Sequence, residues 1–395
     1  MITTVALPVQ LYKLTGSTVA VGLIGVAQFV PMVALSLFGG ALADAFDRRR
    51  LVQIGEVCAA LVSALLVVNA SLPHPIVWVL YLAAALGAAA AAVLGPPLSA
   101  LLPRLVEKDE LGAAFAIDWT FGNTASLVGP AIGGVLVATA GAATAYGVDV
   151  ASYLLSLVAL TAMSAAPPPT DGERPSLRGI VDGLRYAGSR QELIGTYLVD
   201  FNAMLFGMPM ALFPALAAHY GGDSIVGLLY AAPSAGSIVV SLSSGWSKRV
   251  HRHGRAITLA AGGWGAAIVA FGFANSLVPA LICLIVAGGM DSISGLFRAV
   301  IWNGTIPDSL RGRLAGIELL SFTTGPMLGN AEAGAVAGVA GVRASVVSGG
   351  GLCVVGAIGL ALLLPRFWRY DGRAFTPGRH SEPPSAVARA EAELT

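Results

Sequence analysis

The chain has 395 residues, of which 56% are hydrophobic and only 11% are charged, whereas a soluble domain carries about 25% charged residues. This composition excludes a soluble globular protein, and the formal net charge of +1 gives no indication of nucleic-acid binding. The three cysteines, Cys58, Cys283 and Cys353, all lie in apolar runs, which favours buried helix residues over disulfides or metal ligands.

Eleven apolar runs are long enough to cross a bilayer, which takes about 20 residues. They predict an all-α integral membrane protein with about eleven full spans. In chain order the runs cover residues 19–43, 51–70, 76–101, 112–140, 144–166, 192–218, 224–247, 257–276, 278–303, 314–340 and 344–365.

The two halves of the chain are rough copies of each other. Val21-Gly22-Leu23-Ile24 reappears as Val226-Gly227-Leu228-Leu229, and Pro8 corresponds to Pro214 with a one-residue slip. Pro214 lies deep in its run, whereas Pro8 is close to the start of the chain. We therefore expect most of a first helix to be missing, through a misassigned start or a truncation, in preference to a genuine eleven-helix protein. A duplicated membrane chain is typical of a secondary transporter whose substrate path runs between the halves.

Lysine and arginine are concentrated in alternate loops. The loops that follow the runs ending near residues 43, 101, 166, 247 and 303, together with the C-terminal tail, hold nearly all of the 23 basic residues. By the positive-inside rule, these loops and the C-terminus face the cytoplasm of a multi-pass cell-membrane protein.

A composition break divides the chain. Pro167-Pro168-Pro169 ends a run, and polar residues follow it. We predict an N-terminal bundle over 1–166, a cytoplasmic linker over 167–191 and a C-terminal bundle over 192–366. The tail over 367–395 is rich in Pro, Arg and Glu, which predicts disorder.

The segment that runs from Gly40 to Arg50, GALADAFDRRR, resembles the signature loop between helices 2 and 3 of the major facilitator superfamily. Ala45 stands for a basic residue of that signature and Asp47 for a glycine. Leu7-Pro8-Val9-Gln10 and Ile306-Pro307-Asp308 resemble the branch that holds enterobactin (siderophore) exporters and drug-efflux pumps. The resemblance covers nearly the whole chain. It implies two six-helix bundles related by a pseudo-two-fold axis along the membrane normal, and proton-coupled transport by alternating access.

Gly40, Asp44 and Arg48 form the candidate cytoplasmic gate. A carboxylate at the C-terminal end of a helix meets the negative end of the helix dipole, so Asp44 needs a positive partner, and Arg48 is near in sequence. The resemblance implies that this loop makes a contact between the bundles that closes the cytoplasmic side. The contact breaks when the transporter opens inward. The alternative is a solvated charge cluster that only fixes topology.

The segment Gly129-Pro130-Ala131-Ile132-Gly133-Gly134 resembles the antiporter signature of helix 5. Pro130 frees the carbonyl of Ser126, and the glycines permit close helix contact. The candidates for a flexible seam between the bundles are therefore Gly129, Pro130, Gly133 and Gly134. Ordinary packing of small residues is the alternative.

Charged residues inside a bilayer are costly and mark substrate or proton pathways. The resemblance implies a central cavity lined by helices 1, 4, 7 and 10, which favours Asp200 in the seventh helix and Asp291 and Arg298 in the tenth. Asp291 is the first candidate for the proton-coupling carboxylate. Asp291 and Arg298 are about 10 Å apart along the helix, so we expect them to share a face without pairing directly. The alternative is a static charge network.

Two further carboxylates lie in the predicted spans. Glu56 in the third helix is interpreted as structural or close to the cytoplasmic surface, and Asp149 lies in the outer half of the sixth helix.

The sequence thus favours a proton-coupled secondary transporter that exports a small amphipathic molecule, either siderophore-like or drug-like. It has no phosphate-binding Gly-x-x-x-x-Gly-Lys-Ser segment and no enzyme signature. We expect a monomer in the lipid bilayer with substrate and protons as partners, and no cofactor or metal. The alternatives are an uptake carrier of the same fold, a non-transporting membrane scaffold, or an inactive truncated product.

Overall fold

The computed structural model describes residues 1–45, 47–99, 101–102, 106–107, 109–162, 185–306 and 308–374. Within these ranges the side chains of residues 37–45, 96–97, 99, 119, 308–322 and 374 lie outside the described part. Most of the predicted linker, up to residue 184, and the tail beyond residue 374 also lie outside the described residues.

The described residues are almost entirely helical. In chain order the helices are α1 (Ile2–Thr15), α2 (Thr18–Ala45), α3 (Arg48–Ala70), α4 (Val77–Ser99), α5 (Leu111–Thr139), α6 (Gly141–Thr161), α7 (Gln191–Phe206), α8 (Phe213–Tyr220), α9 (Val226–Leu242), α10 (His253–Gly272), α11 (Leu277–Thr305), α12 (Asp308–Ala340), α13 (Val342–Leu363) and α14 (Pro365–Trp368). Each of the eleven predicted runs corresponds to helix, and ten segments of the described chain are long and apolar enough to cross a membrane. The prediction of an all-α membrane protein is confirmed.

The helices pack as two groups that meet along two seams. In the first half, α2 contacts α4, α3 contacts α4 and α6, and α1 contacts α5 and α6. In the second half, α7 contacts α12 and α13, α9 contacts α11, and α10 contacts α11 and α13. The main contacts between the groups join α2 to α12 and α5 to α9. The domain boundaries at residues 166 and 192 remain predictions.

A glycine pair lies at each seam. A Cβ atom added to Gly22 of α2 would lie 3.0 Å from the Cα atom of Gly334 on α12. A Cβ atom added to Gly227 of α9 would lie 3.0 Å from the Cα atom of Gly134 on α5 and 2.6 Å from the carbonyl oxygen of Pro130. Side chains larger than hydrogen would push the helices apart, so glycine is what lets the two halves touch.

The run predicted over 192–218 corresponds to one membrane-length segment, Gln191–Tyr220, but this segment is not one continuous helix. α7 ends at Phe206, a 3₁₀ turn covers Met210–Leu212, and α8 begins at Phe213. Pro214 lies in the first turn of α8, where its missing N–H breaks no helix bond, whereas inside a continuous helix it would remove one.

Side chains from three other helices satisfy the broken backbone. The indole nitrogen of Trp264 donates to the carbonyl of Gly207 over 2.9 Å, and the hydroxyl of Tyr230 donates to the carbonyl of Met210 over 3.0 Å. The amide of Ala211 donates to Oδ1 of Asn330 over 2.9 Å. Within a bilayer, such an interruption is tolerated only when protein groups replace the lost hydrogen bonds.

The residues after α13 pack back onto the protein. Phe367 in α14 is fully buried, and a Cβ atom added to Gly195 of α7 would overlap its ring. The amide of Arg366 donates to Oε1 of Gln191 over 2.8 Å, and the amide of Gly372 donates to the carbonyl of His251 over 2.8 Å. The expectation that disorder begins at residue 367 therefore fails for residues 367–374, because an aromatic anchor and backbone hydrogen bonds fix them.

Candidate functional site

Three charged residues meet where α7 packs against α11. The guanidinium of Arg298 forms an ion pair with Asp200, and its Nη2 atom lies 3.7 Å from Oδ1 of Asp291. Asp200 and Arg298 are buried, at 4% and 8% exposure, whereas the side chain of Asp291 is 41% exposed. The structure thus brings together all three residues that sequence analysis assigned to proton coupling and substrate.

The expectation that Arg298 and Asp291 do not pair directly is wrong. The separation of about 10 Å applies to their Cα atoms along the helix axis. Side chains on a helix tilt toward its N-terminus, and Asp291 lies N-terminal to Arg298 on the same face. The long arginine side chain therefore covers most of the distance.

Further contacts hold the N-terminal part of α7 and the C-terminal part of α11 together around this charge cluster. The indole nitrogen of Trp302 donates to Oγ1 of Thr196 over 2.9 Å, and the Trp302 ring stacks on Tyr197 with centroids 5.7 Å apart. The hydroxyl of Tyr186 donates to the carbonyl of Thr305 over 2.8 Å. The Arg298 guanidinium is thereby fixed between two carboxylates. Binding of one proton to a carboxylate would bring this cluster from a net charge of −1 to zero.

A second polar site lies mainly in the N-terminal half. A cavity of about 520 Å³ opens between α1, α2, α3, α4 and α6, and Met210, Ala211, Tyr230 and Asn330 of the second half complete its lining. Its volume is within the range of small-molecule sites. Most of its lining is alanine, glycine and aliphatic side chains, and Glu56 and Asp149 are its acidic residues. Asp200, Asp291 and Arg298 do not line it.

Asp149 joins three helices at this cavity. It is only 4% exposed, and its Oδ2 atom accepts hydrogen bonds from the hydroxyl of Thr3 on α1 over 2.6 Å and from that of Ser63 on α3 over 3.1 Å. One turn earlier on α6, the hydroxyl of Tyr146 donates to Oε1 of Gln10 over 2.8 Å. Sequence analysis did not assign Glu56 or Asp149 to a site, although the cost of a carboxylate inside a bilayer would have marked both.

The predicted seam residues of α5 divide between two neighbours. Added Cβ atoms on Gly129 and Gly133 would contact Met1 and Ile2 in the first turn of the chain, while that on Gly134 would contact Gly227 of α9. α5 runs without interruption through Pro130. The carbonyl of Ser126, which Pro130 leaves without its helix partner, accepts a hydrogen bond from the hydroxyl of Ser234 on α9 over 3.1 Å.

The candidate gate is described only in part. Gly40 and Asp44 lie in the last turns of α2, and their side chains are outside the described part. Arg48 is the first residue of α3, whose N-cap Asp47 accepts a hydrogen bond from the amide of Arg50 over 3.0 Å. The neighbouring Arg49 binds the carbonyls of Leu160 and Thr161 at the end of α6, over 2.8 and 2.7 Å. That arginine therefore caps a helix.

The asparagines of the second half stabilise the fold. Asn202 on α7 donates to the carbonyl of Cys353 on α13 over 2.9 Å, Asn330 binds the amide of Ala211, and Asn303 donates to the carbonyl of Ala299 in its own helix.

The sequence profile described as transmembrane secretion effector matches residues 1–390 of the chain. The enterobactin exporter of Citrobacter koseri is 31% identical over 372 residues, which cover 93% of this chain and 88% of that protein. The enterobactin exporter of Escherichia coli O81 is also 31% identical, with 91% and 87% covered.

Solved structures of transporters share the fold. A POT family transporter in complex with 5-aminolevulinic acid matches with a TM-score of 0.72 at 12% identity, over 93% of this chain and 94% of that one. A nucleoside transporter matches with a TM-score of 0.73 at 13% identity, over 92% and 95%.

Proposed function

Because the chain belongs to the transmembrane secretion effector family of the major facilitator superfamily, we propose that it exports a small amphipathic molecule, siderophore-like or drug-like, by proton-coupled alternating access. It is a multi-pass membrane transporter and not an enzyme. Enterobactin export by relatives at 31% identity supports the direction and the siderophore class. The observation that carries the proposal is the sharing of the buried Arg298 between Asp200 and Asp291.

The contacts between the two halves support a state in which the outer side is closed. Lys13 forms an ion pair with Asp223, and the hydroxyl of Thr18 donates to the carbonyl of Gly334 over 3.3 Å. These contacts lie at the helix ends opposite the basic loops. We infer that substrate enters from the cytoplasm and that the outer seams must part to release it.

Asp291 is the proposed proton-coupling residue. Asp200 is buried and held by Arg298, whereas Asp291 is more exposed and lies farther from the guanidinium. A proton can therefore reach the carboxylate of Asp291 more readily than that of Asp200, which the ion pair with Arg298 holds. Loss of that proton makes Asp291 a competitor for Arg298. The resulting shift of the guanidinium would reach α7, and through it α12, which forms one of the two seams with α2.

The cavity beside Asp149 and Glu56 is proposed to bind the substrate. Its alanine and glycine walls suit an apolar body, and Asp149 and Glu56 supply hydrogen-bond acceptors. The gate formed by Gly40, Asp44 and Arg48, and the division into bundles over 1–166 and 192–366, belong to the same proposal.

Everted and right-side-out membrane vesicles test direction and coupling together. Export predicts accumulation of a catecholate siderophore or an antibiotic in everted vesicles, lost on addition of a protonophore and in Asp291→Asn. Asp371→Asn is the matched control, because Asp371 pairs with Arg373 after α14, outside the membrane-spanning helices. Accumulation only in right-side-out vesicles would indicate an uptake carrier. Transport that is indifferent to the protonophore would refute proton coupling.

A further inference from the structure

A groove runs between α10 and α13 on the outer face of the second half. Its volume is about 750 Å³. Gly262, Gly263 and Ala266 of α10 line it with little side-chain bulk. Leu259, Ile358 and Leu362 flank it and are 66%, 56% and 77% exposed. The groove is therefore apolar along its length and lies on two helices long and apolar enough to cross the membrane.

One end of the groove is aromatic and basic. Trp368 and Arg369 lie there, and the guanidinium of Arg255 stands 5.4 Å from the Trp368 ring centroid. Nε of Arg255 is buried and has no hydrogen-bond partner among the described residues. The nearby carboxylate of Asp371 is held by Arg373, with Nη2 and Oδ2 2.8 Å apart. The positive charge of Arg255 and Arg369 is therefore not offset by that acid.

The basic end is held in place by the fold. Phe367, next to Trp368, is fully buried, and the chain at Phe367 passes so close to α10 that a side chain on Gly254 would overlap its carbonyl oxygen. Arg366 is fixed through its amide to Gln191. The arginine that ends the groove thus follows an ordered anchor and not a free tail.

We propose that this groove binds an anionic phospholipid of the cytoplasmic leaflet, with an acyl chain along Gly262 and Ala266 and the phosphate at Arg255 and Arg369. An apolar channel with a cationic end is complementary to a lipid with an anionic headgroup. Basic pockets between membrane helices on the cytoplasmic side bind such headgroups, and tryptophan is enriched at this depth. The basic end faces the cytoplasm by the same charge asymmetry that orients the chain.

The acyl-chain part is tested with a side chain that fills the groove. A Cβ atom at Gly262 meets nothing within 4 Å, so Gly262→Leu adds bulk to the groove without moving the backbone. Gly359→Leu is the matched control, because Gly359 lies on α13 outside the groove and is equally open. Native mass spectrometry of purified protein, with added phosphatidylglycerol and phosphatidylcholine of the same acyl chains, measures the bound lipid.

The headgroup part is tested with Arg255→Gln and Arg369→Gln, and Arg50→Gln is the control in the other half. We expect the wild type to prefer phosphatidylglycerol, each groove arginine to contribute about fivefold to that preference, and Gly262→Leu to lower binding of both lipids. The control variants should bind like the wild type.

Equal binding of the two lipids by the wild type, or unchanged binding in Gly262→Leu, would overturn the proposal. So would a second copy of the chain seated on the groove. The arginine variants provide a test that does not depend on the folding of Gly262→Leu.

Discussion

Gly22 and Gly227, which the internal repeat aligns, each contact a glycine of the opposite half. Gly22 of α2 faces Gly334 of α12, and Gly227 of α9 faces Gly134 of α5. The two seams are therefore equivalent positions of a duplicated structure. Such equivalence is what a pair of parallel repeats related by an axis along the membrane normal produces.

A larger residue at a seam glycine should block transport. Gly227→Val would place its Cβ atom 2.6 Å from the carbonyl oxygen of Pro130, so α5 and α9 must separate, at a cost of about 1–3 kcal/mol. We expect export in everted vesicles to fall at least about tenfold. Gly147→Val, on an open face of α6, should leave transport intact. Wild-type transport by Gly227→Val would show that the seam does not need close contact.

The hydrogen bond from Ser234 to Ser126 depends on Pro130. Ser234→Ala should lower stability by about 1 kcal/mol, measured by thermal unfolding in detergent. In a Pro130→Ala background the amide of residue 130 can bind the Ser126 carbonyl itself, so the same Ser234→Ala change should cost much less. A double-mutant cycle measures this coupling. Additive effects would mean that the carbonyl is not shared in this way.

Asp200 and Asp291 should respond differently to neutralisation. Asp200→Asn removes the buried ion-pair partner of Arg298 and leaves only the more distant Asp291, so it should destabilise the protein by about 3–5 kcal/mol, with partial rescue by Arg298→Gln. Asp291→Asn should leave the melting temperature nearly unchanged and abolish the dependence of transport on the proton gradient. Equal losses of stability in the two variants would favour a static charge network.

Asn330 is expected to matter for stability because it holds the interruption between α7 and α8. Asn330→Leu leaves the buried amide of Ala211 unsatisfied, which costs about 1–3 kcal/mol. Asn303→Leu is the matched control, since Asn303 is exposed and bonds only within its own helix. A melting temperature that falls equally in the two variants would contradict the role assigned to Asn330.

Asp44→Asn tests the gate that the loop sequence predicts. Loss of the carboxylate should weaken closure of the cytoplasmic side, so transport should fall at least about tenfold while membrane expression stays normal. Asp109→Asn, an acid in another basic loop of the same half, serves as control. Undiminished transport by Asp44→Asn would show that the loop fixes membrane topology and does not act as a gate.

The order and positions of the helices could be predicted from the sequence, because a bilayer demands long apolar runs wherever the chain crosses it. The interruption after Phe206 could not. Its flanks are apolar on both sides, and its hydrogen-bond partners Trp264, Tyr230 and Asn330 come from distant parts of the chain. Whether a backbone break is tolerated depends on those partners.

The charge cluster was predicted in membership but not in geometry. Residue spacing gives the distance between Cα atoms of Asp291 and Arg298, while contact depends on where a flexible side chain reaches. Asp149 was not assigned to a site because α6 is apolar on most of its surface, so its sequence does not reveal which face meets a neighbour. Only the packed structure shows that this face meets Thr3 and Ser63.

The interruption between α7 and α8 makes this part of the second half a jointed element, because two helices meet at Gly207 in place of one continuous helix. The joint is held by side chains of Trp264, Tyr230 and Asn330, which come from three other helices. Bending of this element during the cycle should concentrate at Gly207 and be passed on to the helices that hold it.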